Sequence, residues 1–273
     1  MIKALFFDLD GTLLDSNRKI SLITRAALEK CRQNGIKLYI ATARPPLLDK
    51  MLSWDDSTLS LFDGGVYYNG GCVIIGGHKA YVPISDDIVQ ETIKRVCKYD
   101  ALNIALQLEN EYHAFRFPLE PENYQRWGVS ANKVLKLNQA EGLYAVKTLV
   151  FYSDLINSIA LIDKKLISDL EKLCLDAAQL YLTDKGKLVQ IMAKGVNKLS
   201  GIEKIRAALG FKEDEIAVFG DDFNDIEMLS AYEHSVAMDN AEAVVKSKAK
   251  YVTLDNDSDG VHHAICNILR LVD

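Results

Sequence analysis

The stretch "FFDLDGTLLD", residues 6–15, sets two carboxylates, Asp8 and Asp10, straight after a run of apolar residues. The preceding "IKALFF" has the length and aromatic content of a short buried strand, and Gly11 marks its end. Side chains at i and i+2 of a strand share a face roughly 7 Å apart. Two acids so placed repel each other unless a cation compensates, and a metal would also make the pair chemically useful. A second cluster, "FGDDFNDIEML", puts Asp221 and Asp222 after another apolar strand, where they open a helix. Alone they read equally as acidic caps. Beside Asp8 and Asp10, however, Asp221 supplies the remaining carboxylate of an oxygen-only site suited to Mg²⁺.

Two further residues stand at comparable places. Lys198, in "KGVNKLSGI", reads as an exposed first-turn lysine or as a cation that offsets Asp8 and holds a phosphoryl oxygen. Thr42, in "IATAR", either simply ends a strand or donates its hydroxyl to a phosphate.

The elements that must position these residues alternate in the βαβ manner at both ends of the chain. Strand 3–8 leads to an amphipathic helix over 21–33, capped by Ser21, with Leu22, Ala26 or Ala27, Leu28 and Cys31 on its apolar side. Strands follow at 36–42 and 65–70, which implies parallel neighbours and right-handed crossovers. After 190 the pattern returns, with a helix at 197–209, strand 215–220, a helix at 223–231, strands "HSVAMD" and "YVTL", and a closing helix at 259–270. Between them lie helices at 85–98 and 163–175, several adjacent strands, and a hairpin turning at Asp184–Gly186. The expected fold class is therefore α/β, with a discontinuous parallel-sheet core (1–81 and 188–273) interrupted by an α+β domain (82–187). In such a sheet ligands bind outside the carboxyl ends of the strands, where all four polar clusters fall.

Composition narrows the function. The 273 residues carry a formal charge of -6, so no basic stripe invites nucleic acid. No long apolar run predicts a membrane span, and "MIKALFFDLDG" turns acidic too soon for a signal peptide. The five cysteines lack metal-binding spacing and read as reduced thiols of a cytoplasmic protein.

Asp8-x-Asp10-Gly-Thr at the first strand, Thr42 at the second, Lys198 on a later helix and Gly-Asp221-x-x-Asn224-Asp225 at a fourth site resemble the four motifs of the haloacid dehalogenase superfamily of phosphatases. "YYNGG", "VAMDNA" and "DGV" extend the likeness to its Cof-type branch, which carries a large α/β cap of the C2B type. Two positions depart from the pattern: Ala43 stands where Gly is usual, and Leu199 follows Lys198 where Gly is common.

The resemblance implies a Rossmann-like core, with the 82–187 insertion as a substrate-selecting cap. It implies that Asp8 is the nucleophile and Asp10 the acid and base. Mg²⁺ would be held by Asp8, the Asp10 carbonyl and Asp221. Thr42 and Lys198 would hold phosphoryl oxygens, while Asn224 and Asp225 orient the metal shell or Lys198. An acid two residues after the nucleophile marks phosphatases and phosphomutases of this superfamily, since P-type ATPases carry Thr there. The function expected is hydrolysis of a small phosphorylated metabolite, with sugar phosphates first and nucleotide-like esters, flavin mononucleotide and pyridoxal phosphate open. No protein partner is implied. The rivals are a mutase of the phosphomannomutase type, for which the insertion offers Arg95, Arg116 and Arg126, and a sugar-phosphate-binding regulator without turnover.

Other residues carry less. Arg44 reads as a substrate contact or a surface ion pair, and Asn69 as a substrate contact or a turn residue. His262, His263, Trp54 and Trp127 read as packing residues.

Overall fold

A computed structural model describes residues 1–153 and 160–273. The chain divides into two units. The first comprises Met1–Arg44, Leu52–Ala80 and Asn197–Asp273, and the second Pro45–Met51 and Tyr81–Val196.

An eight-stranded sheet organises the first unit. Its strands are β1 (Ala4–Phe7), β2 (Lys37–Ala41), β3 (Gly64–Tyr67), β4 (Cys72–Ile75), β5 (His78–Tyr81), β12 (Ile216–Gly220), β13 (His234–Ala237) and β14 (Tyr251–Val252). Their order is β14-β13-β12-β1-β2-β3-β4-β5. From β1 the early strands run one way and the late strands the other, so the chain reverses its winding between β1 and β12. Both strands are buried throughout and pair in parallel, as their near-continuous apolar sequences require. Phe7 stacks on its register partner Phe219 with ring centroids 4.7 Å apart, and Phe6 on Tyr39 at 4.9 Å. These pairs fix the register one residue before Asp8.

The helix Leu22–Gln33 starts as expected, with the Ser21 side chain accepting from the Thr24 N–H. It buries Thr24, Ala27, Leu28 and Cys31, whereas Leu22 at its first turn faces outward. The predicted closing helix is α-helical over Gly260–His263 and then widens into a π-helical turn over Ala264–Ile268.

The second unit holds a six-stranded sheet of β6 (Leu102–Leu108), β7 (His113–Phe115), β8 (Val134–Lys136), β9 (Ala145–Tyr152), β10 (Ala178–Thr183) and β11 (Leu188–Ala193), ordered β10-β11-β9-β6-β7-β8. Its pairs are antiparallel except β7 with β8. The helices Asp86–Val96 and Lys164–Cys174 add buried residues to the same apolar cluster as Ile104, Leu106, Val150 and Ile191. The opposite face gathers Ala105, Phe115, Leu149 and Phe151, with Trp127 against them.

The unit boundary lies beyond residue 188. β11 is bonded along its length to β10 and in part to β9, so the second unit runs on to Val196. Residues 45–51 also belong to it, and there Leu47 and Met51 lie tight against Gly128.

Candidate active site

Asp8 follows the last residue of β1, and its amide still donates to Phe219 of β12 at 2.9 Å. The nucleophile candidate thus has a backbone held by the central ladder. Asp221 follows the last residue of β12 and Thr42 the last of β2, so three polar side chains stand at the carboxyl ends of adjacent strands.

Lys198 opens the helix Lys198–Leu209, where a positive charge opposes the helix dipole. It is fully buried rather than exposed. Its Nζ pairs with Asp8 Oδ1 at 2.7 Å and Asp225 Oδ1 at 2.6 Å. Burial alone would lower its pKa, but the two carboxylates pull it above the usual lysine range. Asp225 spends both oxygens: Oδ1 on Lys198, and Oδ2 as acceptor for the amides of Asp221 and Asp222 at 3.0 Å each. It therefore fixes Lys198 to the turn that carries Asp221.

Asp8, Asp221 and Asp225 each offer an oxygen within 4.8 Å of the others. Burial, reinforced by the neighbouring carboxylates, raises the Asp8 carboxyl well above its ordinary range despite Lys198. Burial and Asp225 push Asp221 up to about 7, against the pull of its hydrogen bond from Thr12. Three carboxylates facing one ammonium leave an excess of negative charge. Asn224 Oδ1 adds a buried acceptor with no hydrogen-bond partner among the described residues. An all-oxygen, charge-deficient set of this kind fits a hard divalent cation.

The structure separates the opening pair of acids. Asp10's carboxylate is not one of the three clustered groups. Arg44 grips it instead, with Nε donating to Oδ2 and Nη2 to Oδ1, both at 2.6 Å. Thr42 Oγ1 accepts the Arg44 amide at 3.1 Å, which leaves its own hydroxyl hydrogen for another acceptor.

Asn69 is a turn residue and is wholly buried. Tyr68, Asn69 and Gly70 all have positive φ, a conformation a bulky tyrosine seldom adopts. The turn braces three loops. The Tyr68 amide donates to the Arg44 carbonyl and the Asn69 amide to the Thr42 carbonyl, each at 3.0 Å. Asn69 Oδ1 accepts from Asn224 Nδ2 at 3.0 Å. A Cβ at Gly70 would stand 2.3 Å from the carbonyl oxygen of Asn197, the cap of the Lys198 helix.

Sequence reasoning missed two supporting residues. Thr12 Oγ1 donates to Asp221 Oδ1 at 2.7 Å, and Asn240 Nδ2 donates to the Gly11 carbonyl at 2.9 Å. Both lie inside recognisable motifs, "DLDGT" and "VAMDNA", but their partners are far along the chain. Gly11 itself has φ +79, and a Cβ there would strike the Asp221 carboxylate at 2.3 Å.

Two of the three arginines available to a mutase are engaged in the second unit. Arg116 Nη1 donates to the Tyr99 and Leu102 carbonyls at 2.8 Å, closing the end of the helix Asp86–Val96. Arg95 donates to the Asp169 carbonyl at 2.9 Å.

A family model of haloacid dehalogenase-like hydrolases matches residues 5–265. The chain is 26% identical over 265 residues to a 5-amino-6-(5-phospho-D-ribitylamino)uracil phosphatase of Bacillus subtilis, covering 97% of this chain and 94% of that protein. Among solved structures it is similar to the subclass IIB sugar phosphatase BT4131, at TM-score 0.79 and 26% identity over 99% of this chain and 100% of the other. It is also similar to the phosphatase BT1666 of Bacteroides thetaiotaomicron, at TM-score 0.79 and 26% identity over 100% and 96%.

Proposed function

The chain belongs to the haloacid dehalogenase-like hydrolases and is a phosphatase, and on this premise we propose that it hydrolyses small sugar-like phosphate monoesters with Mg²⁺ as cofactor. The observation that carries the reading is the buried ion cluster of Asp8, Lys198, Asp225 and Asp221, with Asp10 two residues beyond Asp8.

The Asp8 carboxylate attacks phosphorus in line. As the ester P–O bond breaks, Asp10 gives its proton to the leaving oxygen, and the products are an alcohol and an aspartyl-phosphate. Asp10, now ionised, takes a proton from water as the water oxygen attacks phosphorus. The bond from phosphorus to Asp8 then breaks, releasing inorganic phosphate and restoring both acids. Lys198 and Thr42 hold phosphoryl oxygens, and Asp225 with Asn224 keeps Lys198 and the acid loop in place. When bound by Asp8, Asp221 and the Asp10 carbonyl, Mg²⁺ supplies charge neutralisation for the phosphoryl group.

We assign leaving-group selection to the second unit. The relatives named for a sugar and for a phosphoribityl compound support a polyhydroxylated leaving group. Side-chain amides on one face of its sheet, Asn103, Gln107 and Gln190, have the chemistry to read hydroxyls. Among the described residues no helix is long and apolar enough to cross a membrane, and all five cysteines are thiols. Five thiols outside any disulfide support a reducing compartment such as the cytoplasm.

The test is inorganic phosphate release from a panel of sugar, polyol, nucleotide and cofactor phosphates, with Mg²⁺ or with EDTA. Release is expected only with metal, and Asp8→Asn should lower it by about 10³-fold or more. Full activity in EDTA or in the Asp8→Asn protein would overturn the reading.

A further inference from the structure

Arg44 sits beside the proposed acid and base, and its geometry defines what it does there. Its guanidinium meets Asp10 as a two-point fork, with both contacts at 2.6 Å. The two partners are unequally held. The Arg44 side chain is 12% exposed and that of Asp10 is 53% exposed. The backbone beneath Arg44 is tied on both sides, its amide to Thr42 Oγ1 at 3.1 Å and its carbonyl to the Tyr68 amide at 3.0 Å. Asp10 is thus the loose partner and Arg44 the anchored one. An exposed aspartate would otherwise wander among rotamers.

The fork also has a preferred chemical state. It needs two bare carboxylate oxygens, because a protonated Asp10 would turn one acceptor into a donor facing the N–H groups. Asp10 reaches that state after it has given its proton to the leaving oxygen and before it takes one from water. We infer that Arg44 is a positioning residue for Asp10, which holds the ionised carboxylate in place for the attack of water on the aspartyl-phosphate. The inference rests on the phosphatase reading above.

The two can be tested apart with 4-nitrophenyl phosphate, whose leaving group needs little help from an acid. Wild-type release of nitrophenolate, lost in Asp8→Asn, secures the phosphatase reading first. Arg44→Gln should then lower kcat by about 100-fold, the scale of one proton-transfer group, while kcat/KM changes less than about tenfold. Rapid mixing should show an initial burst approaching one nitrophenolate per enzyme, because the phosphorylated Asp8 waits for water. Arg44→Lys keeps the charge but not the fork and should behave like Arg44→Gln. An equal fall in kcat and kcat/KM without a burst, or wild-type kinetics in Arg44→Lys, would overturn the inference.

Discussion

At the carboxyl edge of the first unit's sheet, the ionisable side chains of Asp8, Lys198 and Asp225 are buried together, with Asp221 half-buried beside them. On one face of the second unit's sheet the buried polar groups are mostly neutral: Asn103, Gln107, His113 and Gln190, with Lys147 as a charged neighbour. Their connections differ as well. His113 Nδ1 lies 3.4 Å from the Glu111 carbonyl and Nε2 lies 3.2 Å from Gln107 Nε2. With the Gln107 amide nitrogen facing Nε2, the neutral ring protonated on Nδ1 satisfies both contacts. Burial supports the same state by holding His113 down to about 4. The first unit concentrates ionisable side chains where phosphorus chemistry needs them, whereas the second gathers mainly amides and one imidazole around Lys147.

The largest effect should come from breaking the charged cluster on one side. Lys198→Met leaves Asp8 and Asp225 buried without their cation, and should cost about 3–5 kcal/mol at pH 8 in EDTA. Denaturant titration would measure it. The loss should shrink toward pH 5, because the Asp8 and Asp221 carboxyls, already raised, take up protons and no longer need a counter-charge. An unchanged midpoint would show that Asp8 and Asp225 do not depend on Lys198 for their burial.

An intermediate effect separates the units by pH. His113 titrates near 4 when folded and near 6.5 when unfolded, so protons bind the unfolded chain first. Its contribution is fully present above pH 6.5 and is lost as the pH falls to 4, by about 3 kcal/mol. Asp221, raised to about 7, has the opposite slope in metal-free protein: its contribution is lost as the pH rises from 4 to 7. Stability measured from pH 4 to 8 in wild type and in Gln107→Leu/His113→Phe isolates the histidine part, since the double variant should lack the acid-side loss. Parallel curves would refute it.

The smallest effect sharpens the contrast. At pH 8 that double variant replaces both hydrogen-bond partners with apolar groups, and should stay within about 1 kcal/mol of wild type. A loss as large as that of Lys198→Met would mean that the neutral cluster matters to the fold as much as the charged one.

Much of the site was legible because its residues stand at ends of apolar strands. Asp8, Thr42 and Asp221 each follow a buried strand, and such strands announce themselves in the sequence. The burial of Lys198 was not legible, because an isolated first-turn lysine is ordinarily exposed and only the folded chain brings Asp8 and Asp225 to it. Thr12 and Asn240 were hidden for a similar reason, with partners 209 and 229 residues away. The boundary expected at 188 cuts through the hairpin that turns at Asp184–Gly186, and the pairing of β11 with β10 keeps both of its arms in the second unit. β8 has three residues, too few to carry a period.

The turn at 68–70 has a consequence for how the site opens. Its amides hold the Thr42 and Arg44 carbonyls, its asparagine holds Asn224, and its glycine lies against Asn197. Neither the 42–44 loop nor the Asn224 loop can release its bond without disturbing a backbone already held in a left-handed path. Hydrogen exchange at the Tyr68 and Asn69 amides should therefore follow a shared opening event rather than separate frayings. That pattern would make the loops at 42–44 and 224 open as one cooperative unit with the turn that ties them.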